Sequence, residues 1–371
     1  MARSLVFVSG YYGFDNLGDE AILEELCHEL KQIVKPEEIM VLSASPEITA
    51  SRYGVRSMQR KSLIELWTAL AEARVFVSGG GGLFQNTRTL GSIFYYGLQI
   101  LMAKAHNAKV MIYAQGIGPL RGNLAENLCR QVFAQADERT VRDDASMNYL
   151  KNWNLAASRT ADPVWNLPPS ALPAAVQKQL NDVGAAERNS KCVGLSLRPS
   201  PELSEAHLNR LAEGLELLLR KEDKLLLLPL QKEQDLPVLE NFIKIWQSRG
   251  RSATILDSSS LELPSQWLSV FCQLRVLVGM RLHAIIMALK AGVPVAGIAY
   301  DPKVTHLLAE FEQCCLILTK ESEGKDWPQA LKSVANGLES YSSLARTKSS
   351  AAKDLSCQNF EVLARILNMT S

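Results

Sequence analysis

The sequence has no Cys-x-x-Cys pair, no long apolar run, no excess of either charge and no internal repeat. The seven cysteines are odd in number, and Cys314 and Cys315 are adjacent, a poor pair for a bridge. They are expected to be reduced thiols of a cytoplasmic protein, and their spacing calls for no metal. A spanning helix needs roughly 18 apolar residues, and no such stretch occurs. Leu5–Val8, the first apolar run, stops at Ser9 and Gly10, too short for a secretion signal. The expected location is cytoplasmic, with a peripheral contact at the inner face of the membrane left open. Forty basic residues against 39 acidic give a formal charge of +1, which argues against a nucleic-acid partner bound through bulk charge. The GxGxxG and GK[ST] fingerprints of dinucleotide and P-loop sites are also missing.

What is present is alternation. Short apolar runs at Leu5–Val8, Ile39–Leu42, Val75–Val77, Val110–Tyr113 and Glu138–Val141 predict strands, with helical spacing over Ala21–Ile33 and Ile93–Ala105 between them. Pro163, Pro168, Pro169 and Pro173 then break the pattern. It restarts with strands at Cys192–Leu197, Leu225–Leu228, Ala253–Leu256, Val276–Val278 and Val295–Ile298, and the tail Trp327–Met369 is largely helical. At 371 residues the chain exceeds one ordinary core. The reading is α/β, with two parallel-sheet domains facing across a cleft: residues 1–165, a linker at 166–191, and residues 192–371 with the helical tail.

Loops that follow strands hold the candidate site. SGYYGFDNLGDEAI (9–22) opens a helix and offers Asn16 and Asp19 either as caps or as ligand contacts. Gly79–Gly82 offers unhindered amides for an anion, through Gly80, Gly81 and Gly82, or permits close packing. Gln85, Asn86 and Arg88 follow as polar contacts, and Arg142–Asp143 is either an ion pair or a cation aimed at the site. The densest segment is VGMRLHAIIMALKAGVPVAGIAYDPKV (278–304). Arg281 and His283 would diverge on one helix, so they converge only if Arg281 lies in the loop and His283 at the start of a helix over Ala284–Ala291. That helix start would bias His283 towards neutral until an anion arrives. Lys303, after Pro302, is a point charge for phosphate or carboxylate, and Arg198 follows the strand Cys192–Leu197.

GYYGFDNLGDEAIL, VSGGGGLFQ, YAQGIGP, TVRDDAS, TADPVW, LLPLQKEQD and GMRLHAIIMALKAGVPVAGIAYDPKV occur in this order from residue 10 to residue 304. Together they resemble the polysaccharide pyruvyl transferase family. The resemblance implies a glycosyltransferase-B-like fold of two Rossmann-like domains, with the acceptor on the N-terminal one. It implies phosphoenolpyruvate as donor, a saccharide acceptor that is often lipid-linked, a pyruvyl ketal as product and phosphate as leaving group. Beyond the donor substrate no cofactor is expected. By motif, the catalytic cations would be Arg142, His283 and Lys303; by their own chemistry Arg281 and Arg198 are candidates for binding oxyanions, and Asp19 is a candidate for the hydroxyl base, whose identity stays open. Two positions depart from the family pattern: Asn86 stands where Asp is usual and cannot act as a base, and Ser200 stands where Trp often follows the Arg–Pro pair. Two alternatives stay open, a nucleotide-sugar glycosyltransferase of the same fold and a non-catalytic saccharide- or anion-binding protein. The sequence leaves the oligomeric state open.

Overall fold

A computed structural model describes residues 5–86, 89–185 and 190–368. The chain divides into two compact units, Met1–Leu167 with Ala352–Ser371, and Pro168–Ala351. Each is a parallel sheet with helical crossovers.

The first unit holds β1 (Leu5–Ser9), β2 (Ile39–Ser43), β3 (Arg56–Gln59), β4 (Ala73–Ser78), β5 (Gly81–Phe84), β6 (Lys109–Ile117), β7 (Glu138–Val141) and β8 (Ser158–Arg159). Their order is β3-β2-β1-β4-β6-β7-β8, with β5 paired to β6 off this path. The central strands are runs of Val, Ile, Leu and Phe because helices cover both faces of the sheet. In register, Phe7 faces Met40 on one side and Phe76 on the other. The second unit holds β9 (Cys192–Ser196), β10 (Lys224–Leu227), β11 (Ala253–Ile255), β12 (Val276–Gly279), β13 (Val295–Ala299) and β14 (Cys314–Ile317). Their order is β11-β10-β9-β12-β13-β14.

In both sheets the chain starts in the middle, winds one way for three strands, then crosses to the other side. The reversal lies between β1 and β4 in one unit and between β9 and β12 in the other. Loops at the carboxyl ends of such strand pairs diverge and leave a crevice, the usual ligand position in this class.

The division differs from the sequence expectation at two places. Within 166–191, Ala174–Asp182 is a helix that buries Val176 and Leu180, and Gln177 Nε2 donates to Gln273 Oε1 (3.2 Å) inside the second unit. The tail forms one helix, Trp327–Asn368, whose last part belongs to the first unit instead of the second. The reason is polar: Asn359 Nδ2 donates to the Ala161 carbonyl (2.9 Å), its Oδ1 accepts from Thr160 Oγ1 (2.8 Å), and Ser356 Oγ donates to the Asp162 carbonyl (3.1 Å). Ser356 and Asn359 are fully buried and need these partners.

Candidate functional site

At the reversal in the first unit, the Gly79 amide donates to the Ser9 carbonyl (2.7 Å) and Tyr12 fills the space above. A Cβ on Gly10 would lie 2.3 Å from the Tyr12 ring, and one on Gly79 would lie 2.1 Å from its hydroxyl. Both positions are glycine because the ring, fully buried, occupies the crevice. The expected glycine loop is largely taken up by packing. A Cβ on Gly80 would press on the main chain of Ala114 at 3.3 Å, and Gly81 and Gly82 open β5. The Gly81 carbonyl accepts from Gln115 Nε2 (2.7 Å), and Asp19 Oδ1 lies 2.9 Å from where a Gly81 side chain would start.

Arg142 follows β7 and lies over Gly116, its Nε 2.9 Å from that residue's Cβ position. Its partner is Asp162, at 2.6 Å, with side chains 8% and 4% exposed. The neighbouring Asp143, expected to pair with it, is 3.9 Å away and caps the helix Asp144–Asn152 by accepting from the Ser146 amide (2.7 Å). Burial opposes the charge of Arg142, but the carboxylates of Asp162, Asp143 and Asp19 more than offset it and hold its pKa above the ordinary arginine value. Asp162, in TADPVW, was not singled out in the sequence. The signal for it is that an arginine at a buried strand end needs a buried acid.

The other expected contacts of this unit have structural tasks. Asn16 caps the helix Leu17–Leu30, accepting from the Gly18 amide (3.2 Å). Glu20, four residues on, accepts from the Gly13 amide (2.7 Å) and the Tyr53 hydroxyl (2.9 Å), and so fixes the loop that carries Tyr12. The Gln85 carbonyl accepts from Ser92 Oγ (2.8 Å). Asn86 uses both ends of its amide on one residue: Nδ2 donates to the Arg121 carbonyl (2.8 Å) and Oδ1 accepts from the Arg121 amide (2.5 Å). A carboxylate has no donor for the first bond, which gives the departure from Asp a structural purpose. Arg88 lies outside the described residues.

In the second unit β9, β12 and β13 are neighbours, so the residues after them share one edge. After β9 comes Arg198, whose guanidinium lies 4.9 Å from the Tyr300 ring centre and donates to the Tyr300 hydroxyl (2.9 Å). After β12 comes Arg281 in extended conformation, then the helix Leu282–Lys290 with His283 in its first turn. Arg281 precedes the helix as expected, and the helix begins two residues earlier than the predicted Ala284. After β13 comes Tyr300, and Asp301 caps the helix Pro302–Glu310 by accepting from the Lys303 amide (2.8 Å). Lys303 therefore lies in a helical first turn, not in a loop.

The sequence reading of Arg281 as an available cation needs correction. Its Nε and Nη2 donate to both oxygens of Asp235 (3.0 and 2.5 Å), a carboxylate with no exposed surface. The pair is bidentate and fixes the guanidinium. Asp235, in LLPLQKEQD, also accepts from the Gln231 amide (2.9 Å) and was not foreseen. The ion pair cancels the charge of Arg281 at this edge. The same edge carries Arg198, Lys303, the start of the helix Leu282–Lys290 and the His283 imidazole, residue types suited to holding an oxyanion and moving a proton. A hollow at the opposite edge of the same sheet, lined by Arg220, Arg275 and Arg346 with Glu222 and Glu339, contains none of the expected residues. Among the described residues no group of His, Cys, Asp or Glu is arranged to hold a metal ion.

A family model for polysaccharide pyruvyl transferases matches residues 16–302. No curated protein matches the sequence. Among solved structures the chain is similar to HepE of Anabaena in complex with UDP and glucose, at 11% identity over 98% of this chain and 99% of that one, TM-score 0.61. It is similar to a putative UDP-N-acetylglucosamine 2-epimerase from Listeria monocytogenes, at 13% identity over 95% and 92%, TM-score 0.64. A glycosyltransferase from Rickettsia africae gives 11% identity over 98% and 96%, TM-score 0.55. At these identities the likeness is one of fold, two Rossmann-like domains of the glycosyltransferase-B type.

Proposed function

The chain belongs to the polysaccharide pyruvyl transferase family, and from that membership we propose that it transfers the enolpyruvyl group of phosphoenolpyruvate to a cell-wall or exopolysaccharide sugar as a ketal. The coarser statement, a polysaccharide-modifying transferase, follows from the family itself. The observation that supports the finer one is the shared edge of β9, β12 and β13, strands that are followed by Arg198, by His283 in a helical first turn and by Lys303 in another. A donor with both a phosphate and a carboxylate needs several cationic or amide contacts, and this edge offers them.

In this reading a proton moves to the methylene carbon of phosphoenolpyruvate, which becomes the methyl of the product. His283 is the proton donor, and general acid help of this kind is worth roughly 10²–10⁴ in rate. One sugar hydroxyl attacks the resulting cationic carbon, the carbon–oxygen bond to phosphate breaks, and a second hydroxyl closes the ketal. Of the two hydroxyl protons one replaces that spent on the methyl group and the other leaves with phosphate. Lys303 neutralises the departing phosphate. Arg142, fixed by Asp162, and Asp19 belong to the first unit, which is assigned the acceptor, with Asp19 as the hydroxyl base. A lipid-linked acceptor would bring the protein to the inner face of the membrane, and no cofactor beyond the donor is used.

The solved relatives bind UDP or act on nucleotide sugars, as their names state, so the test carries both donors. Phosphate release is measured with phosphoenolpyruvate and with nucleotide sugars over a panel of glycosides, followed by product mass. Release from phosphoenolpyruvate with the mass of a ketal supports the proposal. Glycosyl transfer from a nucleotide sugar, or no turnover with any acceptor, overturns it.

A further inference from the structure

Three helices of the first unit, Leu63–Ala69, Gly91–Ala105 and Asn123–Ala134, bury their inner sides in one core through Leu66, Ile93, Ile100, Cys129 and Phe133. They are neighbours: the Trp67 and His106 rings are 4.4 Å apart, and Val132 closes on Gly97. The outer side of the middle helix is apolar where a water-facing helix should be polar; the first adds Ile64 and Trp67 beside Glu65 and Thr68, and the third adds Leu124 to an otherwise polar face. Ile64 is 83% exposed, Trp67 47%, Phe94 55%, Leu98 43%, Leu101 48% and Leu124 61%. On the middle helix Phe94, Leu98 and Leu101 recur at intervals of four and three, with exposed Ala105 completing the stripe. With Leu63 these helices carry seven of the eleven exposed large apolar side chains among the described residues, so the patch is not the scatter of single residues that any surface has.

We propose that this helical face docks on an anionic lipid bilayer, lying in the interface without crossing it. Among the described residues no helix is long and apolar enough to span. Charge selects the occupant. Residues 73–125 contain five Lys and Arg and no Asp or Glu, in a chain whose total is +1; Lys104 and Lys109 among them pair with Asp137, and the first helix exposes Glu65, so the cations that count are those at the rim. Exposed Lys61 and Arg121 stand next to the patch in sequence, two and three residues from Leu63 and Leu124. Trp, Phe and Leu with neighbouring cations are the side chains that enter the headgroup region of anionic membranes. A second copy would bury the same patch against itself, and it is the outcome that the sedimentation measurement separates. The inference deepens the membrane contact in the proposed function and rests on that reading only for its purpose.

The test is co-sedimentation of the full chain with phosphatidylcholine vesicles, with and without phosphatidylglycerol, at low and high salt. The wild type should bind the anionic vesicles and be released by salt. Leu98→Glu with Leu101→Glu should weaken partition roughly tenfold or more. Lys61→Glu with Arg121→Glu should remove the preference for phosphatidylglycerol. Thermal unfolding checks the fold of each variant, and Ile64→Ser, at the most exposed site, replaces the double variant if that unfolds. Absence of binding to either vesicle, or undiminished binding by folded apolar variants, overturns the inference. So does a wild-type dimer, seen by sedimentation, that the apolar variants dissociate without any vesicle binding. Phosphate release with a water-soluble glycoside is followed in the same samples: if it fails while vesicle binding persists, the pyruvyl-transfer reading falls and the docking face stands.

Discussion

The two sheets reverse direction in the same way and treat the resulting crevice differently. Between β1 and β4 the space is filled from within: Tyr12 lies over Gly10 and Gly79, and the glycine run continues into β5. Between β9 and β12 the strand ends carry polar and charged groups, Arg198 on one and Arg281 with His283 on the other. Both units match buried aspartates with arginines, Asp162 with Arg142 in the first, but among the described residues the first also buries a glutamate without one. In the second, Asp235 and Asp223 are matched by arginines. In the first, Glu29 is held by the Tyr113 hydroxyl (2.5 Å), and burial pushes its pKa up to about 8. A shared topology thus fixes where a crevice forms, and single side chains decide whether it is filled or lined with charge.

The largest effect should separate the two edges. His283→Ala should reduce phosphate release by roughly 10²–10⁴-fold with little change in unfolding temperature; full activity would remove the second edge from the chemistry. Asp235→Asn should come next. It leaves the guanidinium of Arg281 without its carboxylate, and urea unfolding should show a loss of about 3–5 kcal/mol. Tyr12→Ala should empty the filled crevice at a cost of about 3–5 kcal/mol. Tyr12→Phe should be near neutral, because the hydroxyl has no hydrogen-bond partner among the described residues. A large loss for Tyr12→Phe would mean that the hydroxyl has a partner.

Glu29 gives a pH test of the same contrast. Its folded pKa lies above that of an unfolded glutamate, so the folded state keeps the proton longer. The stabilising contribution is fully present below about pH 4.3 and is lost as pH rises to about 8. Denaturation across that window should lose this slope in Glu29→Gln; an unchanged slope would place the proton elsewhere. The smallest effect is expected for Asn86→Asp, about 0.5–1.5 kcal/mol, from the lost donor to the Arg121 carbonyl.

The central strands were legible because strands covered on both faces are continuous apolar runs, and β7 has the bounds that its sequence predicts. β3, with the sequence RSMQ, and the two-residue β8 lie at or next to a sheet edge and carry no such signal. The helix Leu17–Leu30 begins four residues before its apolar spacing suggests, since Asn16 sets the start. The strand-end positions of Arg142, Arg198, Arg281 and His283 could be read from chain order. Their partners could not. Asp235 lies 46 residues from Arg281, and Asp162 lies 20 from Arg142. Such pairings are set by sheet order, which periodicity does not encode.

The last part of the helix Trp327–Asn368 completes the first unit from beyond the second in sequence. Ser356 and Asn359 grip the main chain of Ala161 and Asp162, and Asp162 in turn holds Arg142. During synthesis the strands of the first unit leave the ribosome before the second unit, but these clasps emerge only after it. The first unit is therefore completed only after all of the second has been made. A chain stopped before Ala352 should expose the main-chain groups of Ala161 and Asp162 that Ser356 and Asn359 cover, and limited proteolysis should cut it there faster than the full chain.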